Sequence, residues 1–122
     1  VLEPGRRGSI DSVITHTNAA TAVVPTEPLA ADYVVAGAPA SGVVDLPAPP
    51  GLEVGIWEHT VGTSTDVEVD EVFVVISGRA TIACDNGPTI DVGPGDVVTL
   101  AEGTATTWTI HEPLRKVYVT IA

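Results

Sequence analysis

The chain changes character at residue 51, and that change restricts the fold more than any other feature. Seven of its ten prolines fall in the first fifty residues: Pro4, Pro25, Pro28, Pro39, Pro47, Pro49 and Pro50. Proline fixes φ and removes a backbone donor, so this half cannot be continuous central sheet. The expectation is an extended arm over residues 1–32 that wraps the domain, with residues 1–10 disordered. Short edge strands are expected at Tyr33–Ala36 and Val43–Leu46.

From Gly51 onward, β-branched runs alternate with turn residues. Leu52–His59 reads as a strand, Val67–Val69 as a short one, and Glu71–Ile76 as a strand ended by Ser77-Gly78-Arg79. Ala80–Ala83, Thr89–Val92, Val97–Leu100, Thr106–Ile110 and Arg115–Ile121 follow. Asp85-Asn86-Gly87 and Gly93-Pro94-Gly95-Asp96 are turn sequences. No stretch shows apolar residues at helical spacing, and Val, Ile and Thr favour strands. Closely spaced short strands predict an all-β sandwich or barrel. Methionine is absent and only 4% of residues are aromatic, so Val, Ile, Leu and Ala must supply the core.

Length and charge narrow the partners. A chain of 122 residues makes one domain, here residues 33–122 behind the arm. Sixteen acidic against five basic residues give a net charge of −11. That balance disfavours nucleic acid and anionic membrane surfaces, both of which reward a basic face. A single cysteine, Cys84, excludes an internal disulfide framework and a Cys-rich zinc site. The basic pair Arg6-Arg7 is not followed by an apolar core, so no secretory signal is expected and a cytoplasmic location is.

Two segments carry a family resemblance. Glu71-Val72-Phe73-Val74-Val75-Ile76-Ser77-Gly78-Arg79-Ala80-Thr81-Ile82 resembles the end of the first cupin motif. Gly93-Pro94-Gly95-Asp96-Val97-Val98-Thr99-Leu100-Ala101-Glu102-Gly103 resembles the start of the second. With Gly55-Ile56-Trp57-Glu58, Asp70-Glu71, Thr107-Trp108 and Glu112 to Tyr118, the chain is similar to the small cupins related to ureidoglycine aminohydrolase and to ethanolamine-utilisation cupins. The resemblance covers roughly residues 33–122. It implies a single-domain jelly-roll β-barrel, a homodimer, and a pocket at the barrel mouth.

The resemblance also implies a metal site, and here the chain departs from it. Metal-binding cupins place His-x-His three or four residues before a Glu, with Gly seven positions after it. Glu71 and Gly78 keep that spacing, but the histidine positions hold Thr65 and Val67, or Ser64 and Asp66 in the other register. The second motif puts Ala101 in place of its proline and Thr106 in place of its histidine. All three imidazoles are absent. One carboxylate cannot hold a transition metal against water, so no metal and no other cofactor is expected. Asp66, Glu68 and Glu71 would suit only a hard, oxygen-seeking cation. The favoured reading makes Asp66, Glu68 and Asp70 a solvated acidic strand edge.

Strand alternation selects the candidate site. If Glu71 points inward, so does Phe73, and the same parity directs Thr106 and Trp108 inward. Trp57 and His59 share a face. The expected ligand pocket therefore holds Trp57, His59, Thr65, Val67 and Glu71, with Phe73, Thr106, Trp108 and Tyr118. Glu71 reads as a general acid/base or a contact for a cationic group, or as a mouth residue satisfied by Tyr118 or Lys116. His59 reads as an acid/base partner or as a strand histidine. Trp57 and Trp108 stack on a ligand or plug the barrel. His16 and His111 read as surface residues, with His111 in a turn. Arg115 and Lys116 have three readings: pairing with the acidic strand, contacting an anionic ligand, or lying at a dimer face.

Three functions fit. The first is a metal-free cupin binding a small molecule, as an accessory or sensor protein of small-metabolite catabolism. The second is a metal-independent hydrolase or isomerase acting on a small nitrogenous acid, with Glu71 and His59 as catalytic groups. The third is a structural dimer with a plugged pocket.

Overall fold

The computed structural model describes residues 14–121. Expectations for residues 1–10 lie outside them. Nine strands are present among these residues: β1 (Glu27–Pro28), β2 (Val34–Ala36), β3 (Ala40–Leu46), β4 (Leu52–His59), β5 (Gly62–Val67), β6 (Glu71–Cys84), β7 (Thr89–Val92), β8 (Val97–Leu100) and β9 (Ala105–Ile121). One 3₁₀ turn, Ala31–Tyr33, leads into β2. The fold is all-β, as the strand formers require, and no described helix is long and apolar enough to cross a membrane.

β9 is the spine. Along one edge it pairs with β4 and then β5, laid end to end, so that Leu52 opposes Ile121 and Gly62 opposes Ile110. Along the other edge it pairs with β6 over nearly its whole length. β6 in turn pairs with β8 and β7, while β3 and β1 extend the sheet beyond β4. The sheet curls, and its inner face packs Phe73, Val75, Ile82, Trp108, Ile110 and Leu114 into the core.

Several expected boundaries move: β2 begins at Val34 and not Tyr33, β3 at Ala40 and not Val43, and three further changes are larger. β6 runs unbroken through Ser77-Gly78-Arg79, where a turn was expected. The register shifts there instead, so the segment is a bulge, and bulges bend a strand without ending it. Gly78 sits at φ +89° against the backbone of Pro113, a conformation and a closeness that exclude a side chain. β9 likewise runs through His111-Glu112-Pro113, so His111 lies in a strand, exposed, and not in a turn. The strand expected at Val67–Val69 ends at Val67 instead, having begun at Gly62.

The segment 19–22 is pinned by Arg115. Its guanidinium donates to the carbonyls of Ala19 and Ala22 at 3.0 and 2.6 Å and pairs with Glu58 at 3.1 Å. Val24, two residues further on, is buried.

Candidate functional site

On β9, Thr106, Trp108, Ile110, Leu114 and Lys116 are buried, the alternation being broken at the exposed Glu112. Pairing with β4 sets Trp57 directly opposite Lys116, and Glu58 opposite Arg115 on the other face. Cross-strand partners share a face, which explains why two adjacent basic residues do different work. Arg115 grips the N-terminal segment, whereas Lys116 enters the cup.

Inside, the Lys116 ammonium is held on several sides. Its Nζ lies 2.6 Å from Glu71 Oε2. It also sits 4.6, 4.4 and 4.9 Å from the ring centroids of Trp57, Phe73 and Trp108. Each ring offers a negative face to the cation, an attraction of about 0.5–2 kcal/mol per contact depending on desolvation. Glu71 and Lys116 are 11% and 6% exposed, so the pair is largely out of water. The pairing of Glu71 with Lys116 is one of the readings the sequence offered for Glu71.

Glu68 is a second internal carboxylate. It is 6% exposed and accepts hydrogen bonds from Thr106 Oγ1 at 2.6 Å and Trp108 Nε1 at 3.0 Å. The expected solvated acidic edge therefore holds only in part. Glu68 keeps the inward parity of Ser64 and Asp66 one step past the end of β5, and its backbone pairs with Thr104 and Gly103 just before β9. Asp66 stays at the mouth. Partial desolvation, and next the charge of Glu68, raise its pKa above the ordinary 3.8.

His59 closes the inner end of β4. It is 2% exposed, and its ring centroid lies 5.3 Å from that of Trp57. Nδ1 is 2.6 Å from the carbonyl oxygen of Thr60 and Nε2 is 2.8 Å from Ser64 Oγ. A carbonyl can only accept, so Nδ1 carries a proton. Burial lowers the pKa of His59 below 6.5; the Thr60 bond opposes this and the Lys116 charge adds to it. The ring is thus neutral, and the Ser64 hydroxyl donates to Nε2.

These groups surround a cavity of about 380 Å³ that opens to solvent. Its aromatic walls are Tyr33, Trp57, Trp108 and Tyr118. Its polar lining includes His59, Ser64, Asp66, Glu68, Glu71 and Lys116. Tyr118 keeps its phenol proton, since burial, and next the charges of Asp45, Glu53 and Glu71, raise its pKa above 10. Gly55 makes room for that phenol: a Cβ there would stand 2.5 Å from Tyr118 Oη.

Of the residues selected from sequence, Trp57, His59, Thr65, Glu71, Trp108 and Tyr118 line the cavity. Phe73 and Thr106 are buried behind it, one beneath Lys116 and one against Glu68. Val67 is 65% exposed and points away, because it opposes Ala105 while Ser64 and Asp66 take the inward positions of β5. Sequence reasoning did not select Ser41, Ser64, Glu68 or Lys116 for the pocket. Leu29 and Tyr33 add lining from the N-terminal segment and the turn before β2.

The donor chemistry does not suit the metal that cupins carry. Thr106 stands at one imidazole position, and the other two hold Ser64 and Asp66 or Thr65 and Val67. The retained carboxylate of Glu71 is taken by an ammonium, and the nitrogens of His59 are both engaged. Among the described residues no three His, Cys, Asp or Glu side chains are grouped to hold an ion.

Comparison with known proteins agrees on the architecture. The sequence model of the EutQ-like cupin domain matches residues 51–118. The EutQ protein of Clostridium difficile has 24% identity and a TM-score of 0.61, with 68% of each chain covered. A DUF861 family protein of Thermotoga maritima has 26% identity and a TM-score of 0.51, covering 55% of this chain and 76% of its own. One from Pseudomonas syringae reaches a TM-score of 0.63 at 23% identity over 82% of this chain, which spans 45% of that protein. No curated protein matches the sequence.

Proposed function

Since the chain belongs to the EutQ-like cupin family, we propose that it is a metal-independent cupin binding a small nitrogen-bearing molecule in its cup. The observation that carries this reading is the internal ammonium of Lys116, held by Glu71 and three aromatic rings at the floor of an open cavity. A protein-borne cation takes the place beside the retained glutamate. Three carboxylates, Asp66, Glu68 and Glu71, against one lysine leave the lining acidic. That balance favours amines, amides or ureido compounds, whose N–H groups donate to carboxylates, over simple organic anions. The free space beside Trp57 and Trp108 supports binding over a plugged, purely structural role.

Homodimerisation, a cytoplasmic location and an accessory or sensor role in small-metabolite catabolism belong to the same proposal. Exposed Val72, Val97, Val119 and Ile121 on the outer sheet support the first. A second reading, metal-independent hydrolysis, draws support from the neutral His59 with a hydroxyl on its Nε2.

Thermal shift against small amines, ureido compounds and simple carboxylic acids tests the binding reading. Stabilisation by nitrogenous compounds, lost in Trp57→Ala, is the expected result. No stabilisation by any compound would reject it.

A further inference from the structure

We propose that Ser64 is a nucleophile, with His59 as its general base, and that the cavity accepts the acyl group of a small ester or amide. The inference rests on the cavity being a small-molecule site and adds a covalent step to it. Three observations converge. The Ser64 hydroxyl lies 2.8 Å from His59 Nε2, within the distance at which a base takes a proton. The ring is fixed in the productive tautomer by the Thr60 carbonyl, 2.6 Å from Nδ1, which fills the orienting role of a third member. Ser64 is only 7% exposed, and it borders the cavity. Because Ser64 borders the open cavity, a carbonyl bound there has an approach to its hydroxyl.

The step balances as follows. Oγ bonds to the acyl carbon while its proton passes to Nε2. The bond to the leaving alcohol or amine breaks, and that group takes the proton from His59. Water then attacks the acyl carbon and gives a proton to His59, the bond from that carbon to Oγ breaks, Oγ takes the proton from His59, and the carboxylic acid leaves. The cavity lining also holds one ammonium, Lys116, and two phenols, Tyr33 and Tyr118, the kinds of donor that stabilise an oxyanion.

A small fluorophosphonate tests the nucleophile without knowledge of the substrate. Phosphorus bonds to Oγ as fluoride leaves, and the proton goes to His59 and then to solvent. The full-length chain is incubated with the probe, and the adduct is located by intact mass and peptide mapping. One adduct per chain on Ser64, absent in Ser64→Ala and formed about 10²-fold more slowly in His59→Gln, is expected. No adduct, an adduct confined to other residues, or equal labelling of the urea-unfolded chain would overturn the proposal. Mapping on the unsubstituted chain decides the matter even where a variant fails to fold. Stabilisation by nitrogenous ligands in a chain that takes no adduct would overturn the nucleophile alone. An adduct without such stabilisation would support it and reject the nitrogenous-ligand reading instead.

Discussion

Lys116 Nζ stands 2.6 Å from Glu71 Oε2 inside the cup, and neither partner has enough water around it to be stable alone. A buried pair adds little net stability over an apolar pair, but removing one partner strands the other charge, at about 3–5 kcal/mol. Lys116→Met should therefore lower the free energy of unfolding by about 3 kcal/mol. Adding Glu71→Gln should recover much of that loss. Urea unfolding of the two single variants and the double variant measures the coupling. Additive losses would show that the charges do not depend on each other.

Gly55 is a steric requirement for Tyr118 and not a conformational one, since its φ is not positive. Gly55→Ala should push the phenol into the cavity and cost about 1–3 kcal/mol, as overpacking does. Nitrogenous ligands should then lose their stabilising effect. A Tm and ligand response equal to those of the unsubstituted chain would show that Tyr118 moves freely.

Glu68 satisfies two donors at once. In Glu68→Ala the Thr106 hydroxyl and the Trp108 indole lose a shared acceptor, which costs about 1–3 kcal/mol. Glu68→Gln keeps one acceptor oxygen and should lose less. Tryptophan fluorescence during unfolding reports both, and a larger loss in the glutamine variant would contradict this role.

The depressed pKa of His59 gives stability a direction with pH. The unfolded chain binds this proton first on acidification, at about the ordinary 6.5. Stability present above 6.5 is therefore lost as pH falls from there through the lower folded-state value. Asp66 acts oppositely: its contribution is present below 3.8 and lost as pH rises through its raised folded-state value. Comparing the unsubstituted chain with His59→Gln isolates the histidine. The variant should show a flatter stability profile below 6.5, and identical slopes would remove the burial argument.

Much of the fold is legible because turn chemistry brackets the strands. Leu52–His59, Thr89–Val92 and Val97–Leu100 stand where alternation and glycine or proline turns put them. The two long strands were not legible as such, because a bulge at Gly78 and a proline at Pro113 carry the same local signals as a turn. Glu71 emerged from the spacing of the cupin motif, and Trp57 and His59 from sharing a strand face. Lys116 did not, since its inward direction depends on β9 continuing in phase past Pro113. Glu68 was missed because the motif register put Thr65 and Val67 inward, whereas Ser64, Asp66 and Glu68 hold that parity. Ser64 carries no local signal for its bond to His59, which arises because β4 and β5 lie end to end along β9.

The central claim is that an ammonium, and not a metal ion, stands beside the glutamate in the cup. Calorimetric titration of chelator-treated protein with zinc, nickel and manganese tests it most directly. The account predicts no saturable one-to-one binding that depends on Glu71. A stoichiometric site for any of these ions, abolished by Glu71→Gln, would contradict it.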